Sequence, residues 1–280
     1  MLIARGLQRL RSRAGLTQTE LAKAAGVSVG TVNRYLDWQD RARLRVPTMR
    51  SLAVACQATA EEREALELLV RTQQDGWWVG QPGFPSWLDP LLSFESYAEY
   101  EHIYANNLVP GLLQTQDYAF ALHRAQEPRA DSAEIERKVD ARLKRQQSTL
   151  DRSPALHVWA VLDESVLRRR PSQDDAVMAE QIKHLEELAQ RPNVDIQVLP
   201  FAAGHSAGSG GHYLILGRDD ARDPVDAMGV VYLELHRRGV YLDATEDVQA
   251  YKLMFDYARS KAADTTASLR MLAKARQEFE

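Results

Sequence analysis

The stretch TQTELAKAAGVSVGTVNRYL, residues 17–36, constrains the chain more than any other. Thr17 and Glu20 stand in a T-x-x-E pattern. There a hydroxyl satisfies one free backbone amide and a carboxylate satisfies another, so a helix opens at Gln18. Gly26 permits the left-handed turn that ends it. Ser28 then caps a second helix. Leu21, Ala22 and Ala25 form the buried side of the first helix, Val27 fills the angle, and Val32 and Tyr35 face inward from the second. Ahead of them Leu2 to Arg13 reads as a further helix, with Ile3, Leu7 and Leu10 on one face and Gly15 past its end. This is the pattern of a helix-turn-helix.

Val29, Gly30, Thr31, Asn33 and Arg34 are left to project outward. A helix lying in a major groove needs side chains that donate, accept or touch a thymine methyl, with no acid facing phosphate. No acid lies between Glu20 and Asp37. The net charge of −4 argues against nucleic acid only if it is spread evenly, and it is not. Residues 1–50 hold ten Arg or Lys against Glu20, Asp37 and Asp40, giving +7 and leaving −11 for the rest. A purely structural helical pair facing solvent carries both signs; apart from the capping Glu20, this one carries positive charge alone. The residues expected at DNA are Thr17, Gln18, Lys23, Ser28, Val29, Gly30, Thr31, Asn33 and Arg34. Arg41 and Arg43, in the following DWQDRARLRVPT, suit a phosphate-gripping loop, with an exposed solubilising loop as the alternative. Thr48 is expected to cap a fourth helix (Met49, Leu52, Ala53, Cys56), and Thr59 with Glu62 to open a fifth. Residues 1–75 therefore read as an all-α, five-helix domain.

Residues 76–95, GWWVGQPGFPSWLDPLLSFE, break the helical pattern and carry too many aromatics for a plain linker, so they are expected to form a strap on the next domain. Beyond it the pattern mixes strands and helices without regular alternation. Ala98, Tyr100, His102 and Tyr104 alternate as in a half-buried strand. ALHVWAVLDE, NVDIQVLP, HYLILG and a GVVYLELHRRGVYLD hairpin turned at Gly239 supply further strands. Helices are expected from Thr115 to about Gln126, over 132–150, in DDAVMAEQIKHLEELAQR, and over 245–261 and 264–279. The expectation for 96–280 is a larger α+β domain with a mostly antiparallel sheet. A composition of 45% hydrophobic and 26% charged residues fits folded domains rather than disorder. No apolar run nears the roughly 18 residues of a membrane span. The single cysteine, Cys56, excludes an internal disulfide, and MLIARGLQRLRSR shows no leader pattern, so a cytoplasmic location is expected.

LRSRAGLTQTELAKAAGVSVGTVNRYL resembles the helix-turn-helix of Xre/Cro-type regulators. The resemblance places Gln18 at the phosphate- or base-contacting start of the second helix. It places Ser28, Val29, Gly30, Asn33 and Arg34 on the recognition helix, where Gly30 departs from the longer polar residue often seen. VPGLLQTQDYA, RLKRQQSTL, VLDESVLRR, HLEELAQRPNVDIQVLPFAAGHSAG and GVVYLE resemble successive motifs of the C-terminal domain of WhiJ-like, antitoxin-like bacterial regulators of development and antibiotic production. That resemblance implies a transcriptional regulator, often a repressor, whose C-terminal domain binds a small protein encoded nearby. It implies no established ligand or catalytic activity.

Chemistry in the second domain would have to come from Asp163, Glu164, Glu234, His205 and His212, with Arg142 and Arg145. GHSAGSGGH lacks G-x-S-x-G, the phosphate-loop glycine patterns and a third metal ligand. Arg142, Arg145, Glu164, Arg168, His205 and Glu234 are therefore expected to meet a ligand or partner, with no cofactor and no metal. The whole reads as a homodimeric reader of double-stranded operator DNA, controlled by a small partner protein or small-molecule effector and having no membrane partner. The rival readings are a DNA-targeted enzyme and an interaction module that no longer reads DNA.

Overall fold

A computed structural model describes residues 1–37, 44–78, 82–208, 210–218, 229–236 and 238–280. Among these residues α1 (Leu2–Arg13), α2 (Gln18–Ala25), α3 (Val29–Leu36), α4 (Val46–Ala55) and α5 (Ala60–Asp75) make up the first stretch. The caps are where local chemistry puts them. Thr17 Oγ1 accepts from the Glu20 amide at 3.2 Å while Glu20 Oε2 accepts from the Thr17 amide at 2.8 Å. Gly26 closes α2 at φ 67°, a conformation that is cheap only for glycine. Ser28 Oγ accepts from the Thr31 amide at 3.1 Å and starts α3. Leu7, Leu21, Val32, Met49, Leu52 and Leu66 are fully buried and knit the helices together.

One cap differs from expectation. Thr48 lies inside the first turn of α4, which begins at Val46 behind Arg45, with Pro47 among its first residues. Proline's fixed φ and missing amide suit that place. The Tyr35 hydroxyl fixes the entry from α3, accepting from the Arg45 amide at 2.6 Å and donating to its carbonyl at 2.9 Å. Thr59 and Glu62 do form the expected capping box on α5. Glu62 also takes a two-pronged ion pair from Arg13, with contacts at 2.5 and 2.7 Å.

The expected strap is more structured than a strap. Ser86–Leu88 is a 3₁₀ turn and α6 (Asp89–Tyr97) follows it, with Pro90 in its first turn and Leu91, Leu92 and Phe94 buried. The chain divides into two compact units, and α6 belongs with Met1–Gly80, whereas Gln81–Leu88 belongs with Ala98–Gly217 and Gly229–Glu280.

The second unit is α+β, built on one six-stranded mixed sheet among the described residues. Its strands are β1 (Tyr100–Ala105), β2 (His157–Asp163), β3 (Val194–Leu199), β4 (Tyr213–Gly217), β5 (Val230–Leu235) and β6 (Arg238–Leu242), in the order β3-β2-β1-β4-β5-β6. The β1–β2 and β2–β3 pairs are parallel; the other three are antiparallel. The parallel half follows from its connections. α7 (Gln116–Gln126) and α8 (Ser132–Leu150) lead from β1 to β2, and α9 (Asp175–Leu188) leads from β2 to β3. α10 (Thr245–Lys261) packs on one face through Phe255 and Ala258 against Tyr104, Val161, Tyr213 and Ile215, and α11 (Thr265–Arg276) lies beside α9.

Two details correct the sequence reading. β1 is central and covered on both faces, so Glu101 and Ile103 are as buried as Tyr104, and the expected one-sided alternation is absent. Gly239 does not turn the hairpin; it sits within β6 opposite Glu234. A Cβ there would meet Tyr232 Cε2 at 2.5 Å, so the glycine makes room for a ring rather than for a bend.

Candidate nucleic-acid interface

The outward face of α3 is built from its buried one. Val32 and Tyr35 are held inward against α1 and α2, and helical spacing then turns Val29, Gly30, Asn33 and Arg34 to the exposed surface. Val29 is 39% exposed, and its small apolar side chain is suited to a thymine methyl. Gly30 has no steric need to be glycine: a Cβ would meet only Ser28 Oγ, at 3.8 Å. Its bare backbone lets the helix approach a flat surface closely.

The expected set divides by task. Ser28 and Thr31 are engaged with each other, their hydroxyls 2.9 Å apart, and Ser28 also caps the helix. Thr17 is likewise committed, donating to Glu20 Oε2 at 2.7 Å. These hydrogen bonds hold Glu20 below the usual carboxylate range and keep its charge on the cap. Gln18, in the first turn of α2, and Lys23, in its last, are exposed. Arg41 and Arg43 lie outside the described residues. Two other cations of the basic segment serve the fold. Arg13 pairs with Glu62, and Arg50 grips Glu67 at 2.6 and 2.7 Å.

In the second unit the six residues expected at a ligand or partner fall in three places. Arg142 and Arg145 of α8 come together against the loop after β1. A Cβ on Gly111 would stand 3.3 Å from Arg145 Nη1 and 3.8 Å from Arg142 Nε. Arg142 Nη1 donates to Gln114 Oε1 at 2.5 Å, and Gln146 Nε2 donates to the Gly111 and Gln114 carbonyls at 2.8 Å. Burial pushes Arg142 down to about 10, Arg145 adds to the shift, and the Glu234 carboxylate opposes it. His212 is lowered by burial, with Glu234 and Arg145 acting on it in opposite directions. Tyr232 is raised, first by burial and then by Glu234, to whose Oε2 its hydroxyl donates at 3.3 Å.

Glu164 and Arg168 belong to a different cluster. They pair at 3.3 Å; Arg168 also pairs with Glu278, and Glu164 Oε2 accepts from the Phe201 amide at 2.9 Å. His205 is exposed, its carbonyl taking Lys261 Nζ at 2.9 Å. Asp163 caps the following turn through the Ser165 amide. The sequence reading did not single out Gln114, Gln146 and Tyr232. A polar Gln114 closing the apolar run VPGLL is the signal that could have found the first.

Two family models match the chain. One, described as a helix-turn-helix domain, covers residues 2–66; the other, described as a domain of unknown function (DUF5753), covers residues 88–274. No curated protein and no solved structure matches.

Proposed function

The chain belongs to the DUF5753 family and carries a helix-turn-helix domain ahead of the matching region, and we propose that it is a sequence-specific transcriptional repressor. The observation that carries this reading is the exposed, acid-free face of α3, on which Asn33 and Arg34 stand beside Val29 and Gly30. Asparagine and arginine make two-pronged hydrogen bonds to adenine and guanine edges, and the helix start offers free amides to phosphate. A single such helix gives modest affinity, so the protein acts as a homodimer on two half-sites about one helical turn apart. Its second unit, like that of the WhiJ-like regulators it resembles, receives a small partner protein or ligand and shifts the protein between DNA-competent and incompetent states.

The test is an electrophoretic mobility shift of the purified chain with the DNA upstream of its own coding sequence, against a shuffled competitor. Retardation that resists the competitor supports the reading. Retardation that the shuffled DNA removes equally contradicts sequence-specific readout.

A further inference from the structure

We propose that the outer face of α10 is the surface on which two copies of this chain pair, their α10 helices antiparallel about a two-fold axis. This interface gives the proposed homodimer its contact surface and rests on that reading. α10 turns Phe255 and Ala258 toward the sheet, and helical spacing then sets Ala250, Leu253 and Tyr257 outward, with Glu246 and Lys261 at the two ends of the face. All of these outward residues are exposed, Leu253 and Tyr257 by 56% each. Among the described residues, the other exposed large apolar side chains stand one to an element, whereas α10 carries two on one face, a turn apart. Single exposed apolar residues are ordinary; neighbouring ones on a helix mark a surface that meets another protein.

The pattern of this face fits a second copy of itself. With the axis between Leu253 and Met254, an antiparallel copy sets each Leu253 beside its counterpart and the small Ala250 opposite the bulky Tyr257. The same register brings Glu246 opposite Lys261 at both ends. One alignment thus satisfies size in the middle and charge at the ends, as a two-fold, self-complementary contact requires. A parallel copy would instead set Glu246 against Glu246 and Lys261 against Lys261, where like charges repel. Lys261 Nζ donates to the His205 carbonyl at 2.9 Å and keeps further donors for a carboxylate. Asp256 and Arg259, at the flank, pair with each other at 3.2 Å. α10 has 17 residues and is therefore roughly 25 Å long. One helix pair of that length buries less than the roughly 1,200 Å² of a stable interface, so the dimer is weak in free solution. Two half-sites on one DNA strengthen it by holding the copies near each other.

The experiment is sedimentation equilibrium of the full chain without DNA from about 1 to 200 μM, the range in which an interface of this size associates. The wild type passes from monomer to dimer across it. Leu253→Asp weakens the dimer about tenfold or more, Glu246→Lys weakens it by less, and adding Lys261→Glu to Glu246→Lys restores it. Cross-linking reads the register. Cys56 is buried, so a cysteine placed on α10 reports alone. Under mild oxidation Leu253→Cys forms a disulfide-linked dimer, whereas Glu246→Cys does not, because its counterpart lies about 22 Å away along the axis. A wild type that stays monomeric gives the face to a different protein and overturns the proposal. A dimer indifferent to Leu253→Asp, or one that cross-links equally through both cysteines, overturns this interface and leaves the homodimer standing on another surface. Should Leu253→Asp fail to fold, the charge exchange decides: rescue supports the interface, and its absence overturns it. With DNA absent, the outcome is separate from whether α3 reads an operator, which the mobility shift decides.

Discussion

Gly30 and Arg34 sit on the same helix face and predict opposite behaviour in fold and function. A Cβ at residue 30 finds open space, so Gly30→Ala should leave the fold intact and raise the stability of α3 by about 0.5–1 kcal/mol, the usual penalty of a helical glycine. If α3 lies close to base edges, the same methyl weakens DNA binding. Thermal denaturation beside a mobility shift checks both, and an unchanged affinity would say that the helix backbone stays away from DNA. The residue scale was also where the sequence was most legible. Thr17, Glu20, Gly26, Ser28, Thr59 and Glu62 act on atoms within three or four residues, so their chemistry can be read without knowing the fold. Thr48 misled because a hydroxyl before an apolar run resembles a cap, while Pro47 had already started the helix.

Among the elements, α5 is anchored by one carboxylate doing two jobs. Glu62 caps Thr59 and pairs with Arg13, which holds it well below the usual carboxylate range; Arg50 does the same for Glu67. A lowered folded pKa gives stability that is present above the ordinary value of 4.5 and lost as pH falls through the folded value. The first unit should therefore lose stability below about pH 4.5, and the loss should be shallower in Glu62→Gln. Glutamine still caps, and Arg13 is half exposed, so Glu62→Gln should cost under about 1 kcal/mol while Glu62→Ala costs about 1 more. Equal losses from the two would refute the division. In the sheet, Gly239→Ala should cost about 1–3 kcal/mol through its clash with the Tyr232 ring, read from denaturant midpoints. Strands were legible as segments, since VVYLEL and GVYL are apolar and β-branched, but their neighbours were not. β1 pairs with β4 across more than a hundred residues, and nothing local in HYLILG names that partner. The burial of Glu101 and the role of Gly239 follow from those neighbours and were missed with them.

For the whole molecule, the basic residues 1–50 stand against an acidic remainder, and the chain divides into two compact units. Arg13 and Arg50 serve the fold, so fewer of the ten cations are left for phosphate than the count implies. Operator affinity should still fall linearly in log–log form with salt, by about one decade per decade for each phosphate neutralised, and a flat response would contradict phosphate contact. No helix among the described residues is long and apolar enough to cross a membrane. The place of Arg142 beside Arg145 was half legible. Helical spacing puts them on one side of α8, but only the fold brings Gly111 and Gln114 to meet them. The most direct test of the account is the Kd of Arg34→Ala for the upstream operator at physiological salt, beside the wild type and with folding checked by thermal denaturation. The account predicts an unchanged Tm and a loss of about 1–3 kcal/mol, roughly five- to a hundredfold in Kd. An unchanged Kd would contradict the assignment of α3 as the helix that reads DNA.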